Sequence, residues 1–339
     1  MDIRPVDPHR PDETGFPAAY AVFRQAVLAD RPWGTVHSPE EVLAHLQHDD
    51  PSEKSEWFAA FDGERVVATG HAYLPLTDNV RMIWLEVCVA PADRRQGFGA
   101  AMMQFLFDHA AENGRTQVLG ETNVPAGADD DHPHRAFYRS VGFELANTEI
   151  VRHLKLPVAD DLLIRLLDDA KPHYQDAYTI ETYTDGIPDD LQASYCAASN
   201  RLSTDAPTGS IDFEENSLTP ELYKSYLEID RKLNTVRITA LALTADRQVA
   251  AFTDLQLPAS NPERAYQWGT LVTGPHRGHR LGTAVKVANL QELQRSHPER
   301  RIVGTQNAED NPYMVSINVA LGFEIVEVSE MLKRADAAP

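Results

Sequence analysis

The chain has 339 residues, of which 31 are Lys or Arg and 51 are Asp or Glu, so its formal net charge at pH 7 is −20. This charge argues against nucleic acid or an anionic membrane as the main partner. It is compatible with a cationic partner such as an amine, although a solvated acidic surface explains the charge equally well. With two cysteines and no run of about 18 apolar residues, the sequence predicts neither a disulfide framework nor a membrane helix.

The start of the chain and its length bound the protein further. Residues 1–7 lack the basic and apolar regions of a secretion signal, which predicts a cytoplasmic location. Cys88 and Cys196 do not form the ligand spacing of a zinc site, and we expect no metal. The length is about twice that of a common domain, so each half can bury a core of its own.

Apolar periodicity and turn residues predict alternating strands and helices in the first half. Ser38 is the predicted N-cap of the second helix, and Asp62-Gly63 is a predicted turn between two strands. The predicted elements are a strand over 3–6, helices over 18–29 and 39–47, strands over 57–60, 65–73 and 81–89, a helix over 99–112, a strand over 117–123, a helix over 134–140 and a strand or hairpin over 143–154.

A connector and a second series of similar elements follow. Residues 157–171 combine acidic residues with leucines at helical spacing, which predicts a packed connector that contains a short helix. The second series comprises a strand over 178–184, helices over 188–200 and 220–232, strands over 237–243, 249–257 and 266–272, a helix over 282–296, a strand over 301–306 and a helix over 312–320. This alternation predicts an α/β fold in which helices cover a mixed sheet in each half.

One glycine-rich motif occurs twice. Arg94-Arg95-Gln96-Gly97-Phe98-Gly99 recurs as Arg277-Gly278-His279-Arg280-Leu281-Gly282. Further segments match at nearly the same spacing, namely 61–68 with 244–251, 87–89 with 270–272, 118–123 with 302–307 and 141–143 with 321–323. The chain is therefore two homologous halves. We expect domains over 1–156 and 178–339 with a linker over 157–177.

Each copy of the motif lies between a predicted strand and a predicted helix. The first N–H groups of a helix have no partner within the helix, and the helix dipole favours negative charge at that end. Glycines at the turn also let an anion approach the backbone closely. Two such cradles predict two sites for a phosphate-bearing cofactor, or one site and one relic.

The order strand, Arg-x-x-Gly-x-Gly, helix, strand, Phe-Tyr-x-x-x-Gly-Phe resembles the GNAT superfamily of acyl-CoA-dependent N-acetyltransferases. Arg94, Gly97 and Gly99 fit the family signature, and residues 136–143 fit its later element. In the second half Arg280 replaces the first glycine of the signature. The resemblance implies two tandem GNAT-like domains, each with a mixed, mostly antiparallel sheet flanked by helices. The layout is similar to that of two-domain actinobacterial members.

The resemblance further implies acetyl-CoA as co-substrate, with the pyrophosphate at the motif and the pantetheine arm beside the preceding strand. In the first half the expected cofactor-binding residues are Val87, Val89, Arg94, Arg95, Gln96, Gly97, Phe98, Gly99, Ala100 and Asn123. In the second half they are Val272, Arg277, Gly278, Arg280, Leu281, Gly282, Thr283, Asn307, Asn311 and Asn318.

Two side chains of the first half are candidate catalytic groups. Tyr138 lies where many family members keep a tyrosine that protonates the departing CoA thiolate, although an aromatic residue packed in the core is the alternative. Glu86 lies where members often place a carboxylate base, although a surface glutamate is the alternative. Strand alternation puts Glu86 and Cys88 on one face, and Cys88 as an acylated nucleophile is a further alternative. The second half has Gly269 and Asn318 in place of Glu86 and Tyr138.

These residues favour an N-acetyltransferase that transfers acetyl to a small-molecule amine by direct attack in a ternary complex. Catalysis in the first half, with the second half binding acetyl-CoA or stabilising the pair, is one hypothesis, and the opposite division is the other. A catalytically quiet acyl-CoA-binding module and a protein acetyltransferase are alternative functions. No motif identifies the acceptor: an amino acid, a polyamine and an aminoglycoside or other antibiotic all fit. The chain fits a monomer or a homodimer.

Overall fold

The computed structural model describes residues 1–29 and 31–334, and within them the chain forms twelve strands and eleven α-helices, numbered here in chain order. The strands are β1 Asp2–Pro5, β2 Glu53–Asp62, β3 Arg65–Pro75, β4 Met82–Val89, β5 Gln117–Pro125, β6 Phe143–Lys155, β7 Thr179–Thr184, β8 Val236–Leu243, β9 Val249–Leu257, β10 Arg264–Val272, β11 Ile302–Ala308 and β12 Glu324–Arg334. The helices are α1 Pro11–Thr14, α2 Phe16–Ala29, α3 Pro39–Leu46, α4 Phe98–Glu112, α5 Pro133–Ser140, α6 Asp160–Ala170, α7 Asp189–Asn200, α8 Leu202–Asp205, α9 Pro220–Lys232, α10 Leu281–Ser296 and α11 Pro312–Leu321.

The described residues divide into two compact units, each assembled from separate stretches of the chain. Unit 1 contains residues 1–148 without residue 30, residues 209–211 and residues 328–334. Unit 2 contains residues 149–208 and 212–327. The unit limits therefore fall inside β6 and β12. The expected domains over 1–156 and 178–339 and the linker over 157–177 stay predictions about the repeat, and residues 335–339 lie outside the described residues.

The sheet of unit 1 is mixed and mostly antiparallel. Strands β1, β2, β3 and β4 pair with one another in antiparallel fashion, and β5 pairs with β4 in parallel. The order continues with β12 and β6. Helix α4 packs on this sheet because Met102, Met103 and Leu106 form one apolar face, and all three side chains are buried in the core.

The sheet of unit 2 repeats this arrangement. Strands β7, β8, β9 and β10 are antiparallel neighbours, β11 is parallel to β10, and the second part of β6 is antiparallel to β11. Helix α10 takes the place of α4, with Val287, Leu290 and Leu293 buried in the core of this unit. The predicted fold class, a mixed and mostly antiparallel sheet with helices in each half, is confirmed.

Most predicted elements agree with the structure to within a few residues. The predicted N-cap is confirmed, since Ser38 Oγ accepts a hydrogen bond from the backbone N–H of Glu41 at 3.2 Å and the Glu41 carboxylate accepts one from Ser38 N–H at 2.8 Å. The predicted turn at Asp62-Gly63 joins β2 and β3. The short helices α1 and α8 and the last strand, β12, were not among the predicted elements.

The second part of strand β12, from Val328, packs in unit 1 although it lies far from the rest of that unit in sequence. Leu332 is buried in the unit 1 core. Ser329 Oγ donates a hydrogen bond to the Glu121 carboxylate at 2.6 Å, and Arg135 Nε lies 2.7 Å from Glu330 Oε1 in a largely buried ion pair. These contacts tie β12 to both β5 and α5, so the C-terminal strand supports the segments that follow the glycine-rich motif of the first half.

The described residues were compared with the requirements of a metal site and of a membrane-spanning helix. No group of three or more His, Cys, Asp or Glu side chains that could hold a metal ion occurs in residues 1–29 and 31–334. Across the same residues, none of the helices has the length and apolar character that crossing a membrane requires.

We predict that Glu330→Ala lowers the free energy of unfolding by about 2–3 kcal/mol, because it leaves the largely buried Arg135 guanidinium without its carboxylate. Glu324→Ala, in the same strand, is the matched control. The pair of Glu324 with Lys155 is exposed, so its loss should cost less than about 1 kcal/mol. Urea unfolding of the full chain measures both values, and equal losses in the two variants would contradict the prediction.

Candidate active site

The first glycine-rich motif forms an open helix N-terminus. Gly97 is the N-cap of α4 and has a φ of 90°, in the left-handed region that favours glycine. A Cβ at Gly99 would lie 3.2 Å from the Phe137 ring and 3.3 Å from Val89, so glycine permits close packing there. Arg95, Gln96, Gly97 and Ala100 are exposed. The free N–H groups of this turn therefore face solvent, where they can bind an anion.

A cavity of about 440 Å³ in unit 1 adjoins this turn. It is bounded by the end of α2, by β4, by the motif, by the second part of β5 and by α5. Its lining residues are Ala26, Val27, Arg31, Glu86, Val87, Cys88, Val89, Asp93, Arg94, Arg95, Gly97, Phe98, Gly99, Ala100, Glu121, Thr122, Asn123, Pro133, His134, Phe137, Tyr138 and Ser140. The cavity thus brings together both candidate catalytic residues and, apart from Gln96, every cofactor-binding residue expected in the first half.

The cavity exists because β4 and β5 separate. The two strands pair in parallel only between residues 82–84 and 117–119, although each continues for several residues beyond this point. Tyr138 of α5 enters the gap, and its hydroxyl donates a hydrogen bond to the Glu121 carbonyl oxygen at 3.1 Å. A Cβ at Gly120 would lie 2.7 Å from Cε1 of Tyr138, so the close approach of this ring requires glycine.

Tyr138 is at once a core residue and a cavity residue. Its ring packs edge-on against Phe137 and Phe143, as the core alternative predicts. It also lines the cavity, as the catalytic hypothesis requires. Burial, and next the charge of Glu86, raise the pKa of Tyr138 well above its usual value. The phenol therefore keeps its proton at neutral pH, and in this structure it donates that proton in the hydrogen bond to Glu121.

Glu86 faces the cavity with a half-exposed carboxylate. Its Oε2 lies 2.9 Å from Nδ1 of His71, the residue opposite it on β3. Burial alone would raise the pKa of Glu86, but the hydrogen bond and charge of His71, with smaller effects of Cys88 and Arg31, outweigh burial and lower the pKa below its usual value. Glu86 is consequently ionised at neutral pH and can accept a hydrogen bond from an ammonium or amine group.

Cys88 lies on the same face of β4 as Glu86, as strand alternation predicts. Its Sγ is 3.8 Å from Glu86 Oε1. Burial, followed by the charge and the hydrogen bond of Glu86, raises the pKa of Cys88 well above its usual value. Because the thiolate is the nucleophilic form of cysteine, Cys88 is a poor nucleophile in this setting.

The cavity also contains residues that the sequence analysis did not assign to it. His134, near the start of α5, makes a 3.1 Å contact between Nδ1 and the Asn123 carbonyl oxygen. Arg31 follows α2, and His71 lies behind Glu86. The position of His134, shortly before the Phe-Tyr pair, could have indicated that it lies in the cavity. No sequence pattern predicts the contact of His71 with Glu86, since 15 residues separate them.

The second motif has a different environment. Arg280, with a φ of 53°, is the N-cap of α10 and donates a hydrogen bond to the Asp169 carbonyl oxygen of α6 at 3.3 Å. Arg277 pairs with Asp205 at 3.1 Å. Leu281 and Gly282 are buried, whereas the matching Phe98 and Gly99 of the first motif are only partly buried. Residues of α6 and β7 thus cover the first turn of α10, and Leu281 packs in a cluster with residues from both elements.

The gap between β10 and β11 is filled by the chain itself. Asn318, in the place of Tyr138, is buried; it accepts a hydrogen bond from Lys286 at 2.8 Å and donates one to Asn307 at 3.0 Å. Burial lowers the pKa of Lys286 to about 7. Asn311 caps α11 through a 3.1 Å hydrogen bond from the backbone N–H of Met314. These expected cofactor contacts of the second half are engaged in bonds within the protein.

The remaining residues expected to bind cofactor in the second half lie around the same turn. Val272 belongs to the cluster that covers α10. Gly278 is exposed and has a φ of 86°. Thr283 is partly buried in the first turn of α10. The structure therefore keeps the backbone of the motif in the second half but surrounds it with more protein than in the first half.

Comparison with known proteins agrees with this geometry. Residues 53–145 match the family model described as acetyltransferase (GNAT) domain. The chain is similar to a tandem GNAT protein from the clavulanic acid biosynthesis pathway, with 24% identity over 100% of this chain and 99% of that one and a TM-score of 0.76. It is also similar to a GCN5-related N-acetyltransferase from Sphaerobacter thermophilus, with 16% identity over 98% and 94% of the two chains and a TM-score of 0.64.

A further structural match is the GCN5-related glucosamine N-acetyltransferase region of a fungal multi-domain β-N-acetylglucosaminidase, with 12% identity, a TM-score of 0.64 and coverage of 98% of this chain and 38% of that one. Among curated proteins, no sequence matches this chain significantly. Residues 53–145 therefore match the acetyltransferase (GNAT) domain model, and the chain as a whole is similar in fold to a tandem GNAT protein.

Proposed function

We propose that unit 1 is an acetyl-CoA-dependent N-acetyltransferase that acts on the primary amine of a small molecule. One observation carries this proposal: a single cavity combines an open helix N-terminus with an ionised carboxylate, Glu86, and a protonated phenol, Tyr138. A module that only binds acyl-CoA would need the helix N-terminus but has no use for an acid and a base beside it.

The residues of the cavity fit acetyl-CoA. The N–H groups of residues 96–100 would hold the pyrophosphate, with Arg94 and Arg95 adding positive charge. The backbone of β4 at Val87 and Val89 and the amide of Asn123 would flank the pantetheine arm. The bound co-substrate would supply an activated acetyl thioester. The volume of about 440 Å³ lies in the range of ligand pockets.

The acceptor amine must be neutral before it can attack, and Glu86 is the group that would take up its proton. The carboxylate is ionised, half-exposed to the cavity and adjacent to β4, along which the pantetheine arm would lie. Tyr138 would then turn its hydroxyl from the Glu121 carbonyl oxygen to the departing thiolate and donate its proton there. The two groups thus divide the roles of base and acid.

Unit 2 would support unit 1 rather than catalyse the same reaction. Gly269 and Asn318 replace the base and the acid, and the turn at the start of α10 is covered by α6 and β7. Its polar groups are already engaged, as the bond between Lys286 and Asn318 illustrates. This contrast supports a division into an active first half and a supporting second half.

Acetyl-CoA binding should depend on the first motif and not on the second. Ala100→Asp and Thr283→Asp each place a carboxylate at the third residue of a helix, α4 or α10, where an acidic side chain is tolerated or favourable. Repulsion of the pyrophosphate should weaken binding about 10-fold or more in Ala100→Asp and leave it unchanged in Thr283→Asp. Isothermal titration calorimetry measures both, and weaker binding in Thr283→Asp alone would assign the site to unit 2.

Removal of the Tyr138 hydroxyl should slow the chemical step. We expect Tyr138→Phe to lower kcat about 100-fold while acetyl-CoA still binds, because the departing thiolate loses its proton donor. Tyr178→Phe is the control, since it removes a hydroxyl that contacts His276 beside the second motif. Release of free CoA in the presence of amines measures turnover, and full activity of Tyr138→Phe would refute the assigned role.

The transfer should be direct and should not pass through Cys88. We expect Cys88→Ala to keep kcat within about threefold, because the raised pKa of Cys88 leaves the thiol protonated at neutral pH. Initial rates at varied concentrations of both substrates should give the intersecting lines of a ternary complex. Parallel lines together with an inactive Cys88→Ala variant would establish an acyl-enzyme instead.

A further inference from the structure

A continuous line of polar contacts leads from the cavity into the core of unit 1. Glu86 Oε2 lies 2.9 Å from His71 Nδ1, and His71 Nε2 lies 3.3 Å from Thr69 Oγ1. Thr69 Oγ1 lies in turn 3.0 Å from the Phe58 carbonyl oxygen, to which it donates. The carboxylate at one end is half-exposed, whereas Thr69 at the other end is fully buried.

The donor and acceptor roles of these groups determine where a proton must lie between them. The Phe58 carbonyl oxygen can only accept, so the single hydroxyl proton of Thr69 must point towards it. Thr69 Oγ1 can then only accept from His71 Nε2, at the longer distance of 3.3 Å. The contact between Nδ1 and Glu86 needs a proton, because a bare ring nitrogen and a carboxylate oxygen repel each other at 2.9 Å. Since the pKa of Glu86 is lowered, this proton resides on Nδ1.

The imidazole ring is fixed in place by its packing. It stacks on the Trp57 ring with 3.9 Å between centroids, and the Phe23 ring meets it edge-on at 5.3 Å. The His71 side chain is only 12% exposed. Glu86 approaches the ring from the opposite position on β4, and its carboxylate also interacts with Cys88 and Arg31.

The repeat provides an internal comparison. The matching positions of unit 2 hold Asp254 in place of His71 and Gly269 in place of Glu86. Asp254 is buried and accepts hydrogen bonds from the hydroxyls of Tyr195 and Thr239, at 2.8 and 2.5 Å. Strand β10 has a register shift between Gln267 and Thr270, where the pairing of β4 with β3 is regular. Unit 2 therefore has a similar fold with a different local backbone, and no histidine and carboxylate face each other there.

We propose that His71 is a positioning residue for the acetyl transfer: it carries the proton that joins Nδ1 to Oε2 of Glu86 and so holds the other carboxylate oxygen towards the acceptor amine. This inference rests on the proposed function of the cavity in unit 1. Without the proton on Nδ1, Glu86 would turn away from the ring and lose the orientation in which it receives the amine proton.

Two substitutions separate this role from simple packing. The His71→Asn change leaves part of the space beside Trp57 unfilled but keeps an N–H donor near the place of Nδ1, whereas His71→Leu fills the space and has no donor. We expect His71→Leu to lower kcat about 10-fold or more with an unchanged KM for acetyl-CoA, and His71→Asn to retain clearly more of kcat. If His71 only packs against Trp57, His71→Leu will retain more of kcat than His71→Asn, and the inference is wrong.

A second measurement is independent of turnover. In the full chain with ¹⁵N-labelled histidine, the His71 signals at pH 7, assigned by their loss in His71→Asn, should show a protonated Nδ1. In Glu86→Gln, whose side-chain amide can itself donate to the ring, Nδ1 should lose its proton. A bare Nδ1 in the native protein would overturn the inference. If the ¹⁵N signals of His71 are as expected but the protein transfers no acetyl group, the proposed function is refuted, whereas the hydrogen-bonded pair of His71 and Glu86 is not.

Discussion

The short parallel pairing of β4 with β5 is the constraint on which the site depends. Three residues of each strand pair, and the strands then diverge while both continue. Backbone groups along the diverging edges need partners, and the Tyr138 hydroxyl supplies one by donating to the Glu121 carbonyl oxygen. The divergence therefore produces the cavity and at the same time fixes the phenol beside it. Gly120 makes this possible, because any side chain there would collide with the ring.

The same divergence in unit 2 leads to a different result because different side chains occupy it. Strands β10 and β11 also pair over three residues, 264–266 with 302–304. Lys286, Asn318 and Asn307 then bond to one another across the space that Tyr138 and the cavity occupy in unit 1. A buried ammonium that bonds to a neutral amide is costly, and burial lowers the pKa of Lys286 to about 7. One backbone can thus hold either a ligand cavity or a closed polar core.

Local features of the structure were predictable from the sequence, whereas contacts between distant segments were not. The Ser38 cap, the Asp62-Gly63 turn and the shared face of Glu86 and Cys88 each depend on residues a few positions apart, and all three are confirmed. Strand β12 joins unit 1 across most of the chain, which no periodicity reveals. His71 meets Glu86 only through the register of β3 with β4, and the cover over α10 comes from a connector whose packing the leucine spacing could not place.

The electrostatics of the cavity follow from which partner each titratable group meets. Glu86, Cys88 and Tyr138 are close together, and burial acts to raise the pKa of each. Glu86 differs from the other two groups, because the hydrogen bond and charge of His71 lower the pKa of this carboxylate. That negative charge in turn adds to burial in keeping the thiol and the phenol protonated. The histidine therefore lowers the pKa of the proton acceptor, and the charge of that acceptor raises the pKa of the proton donor, so the pKa values of the two groups are moved further apart.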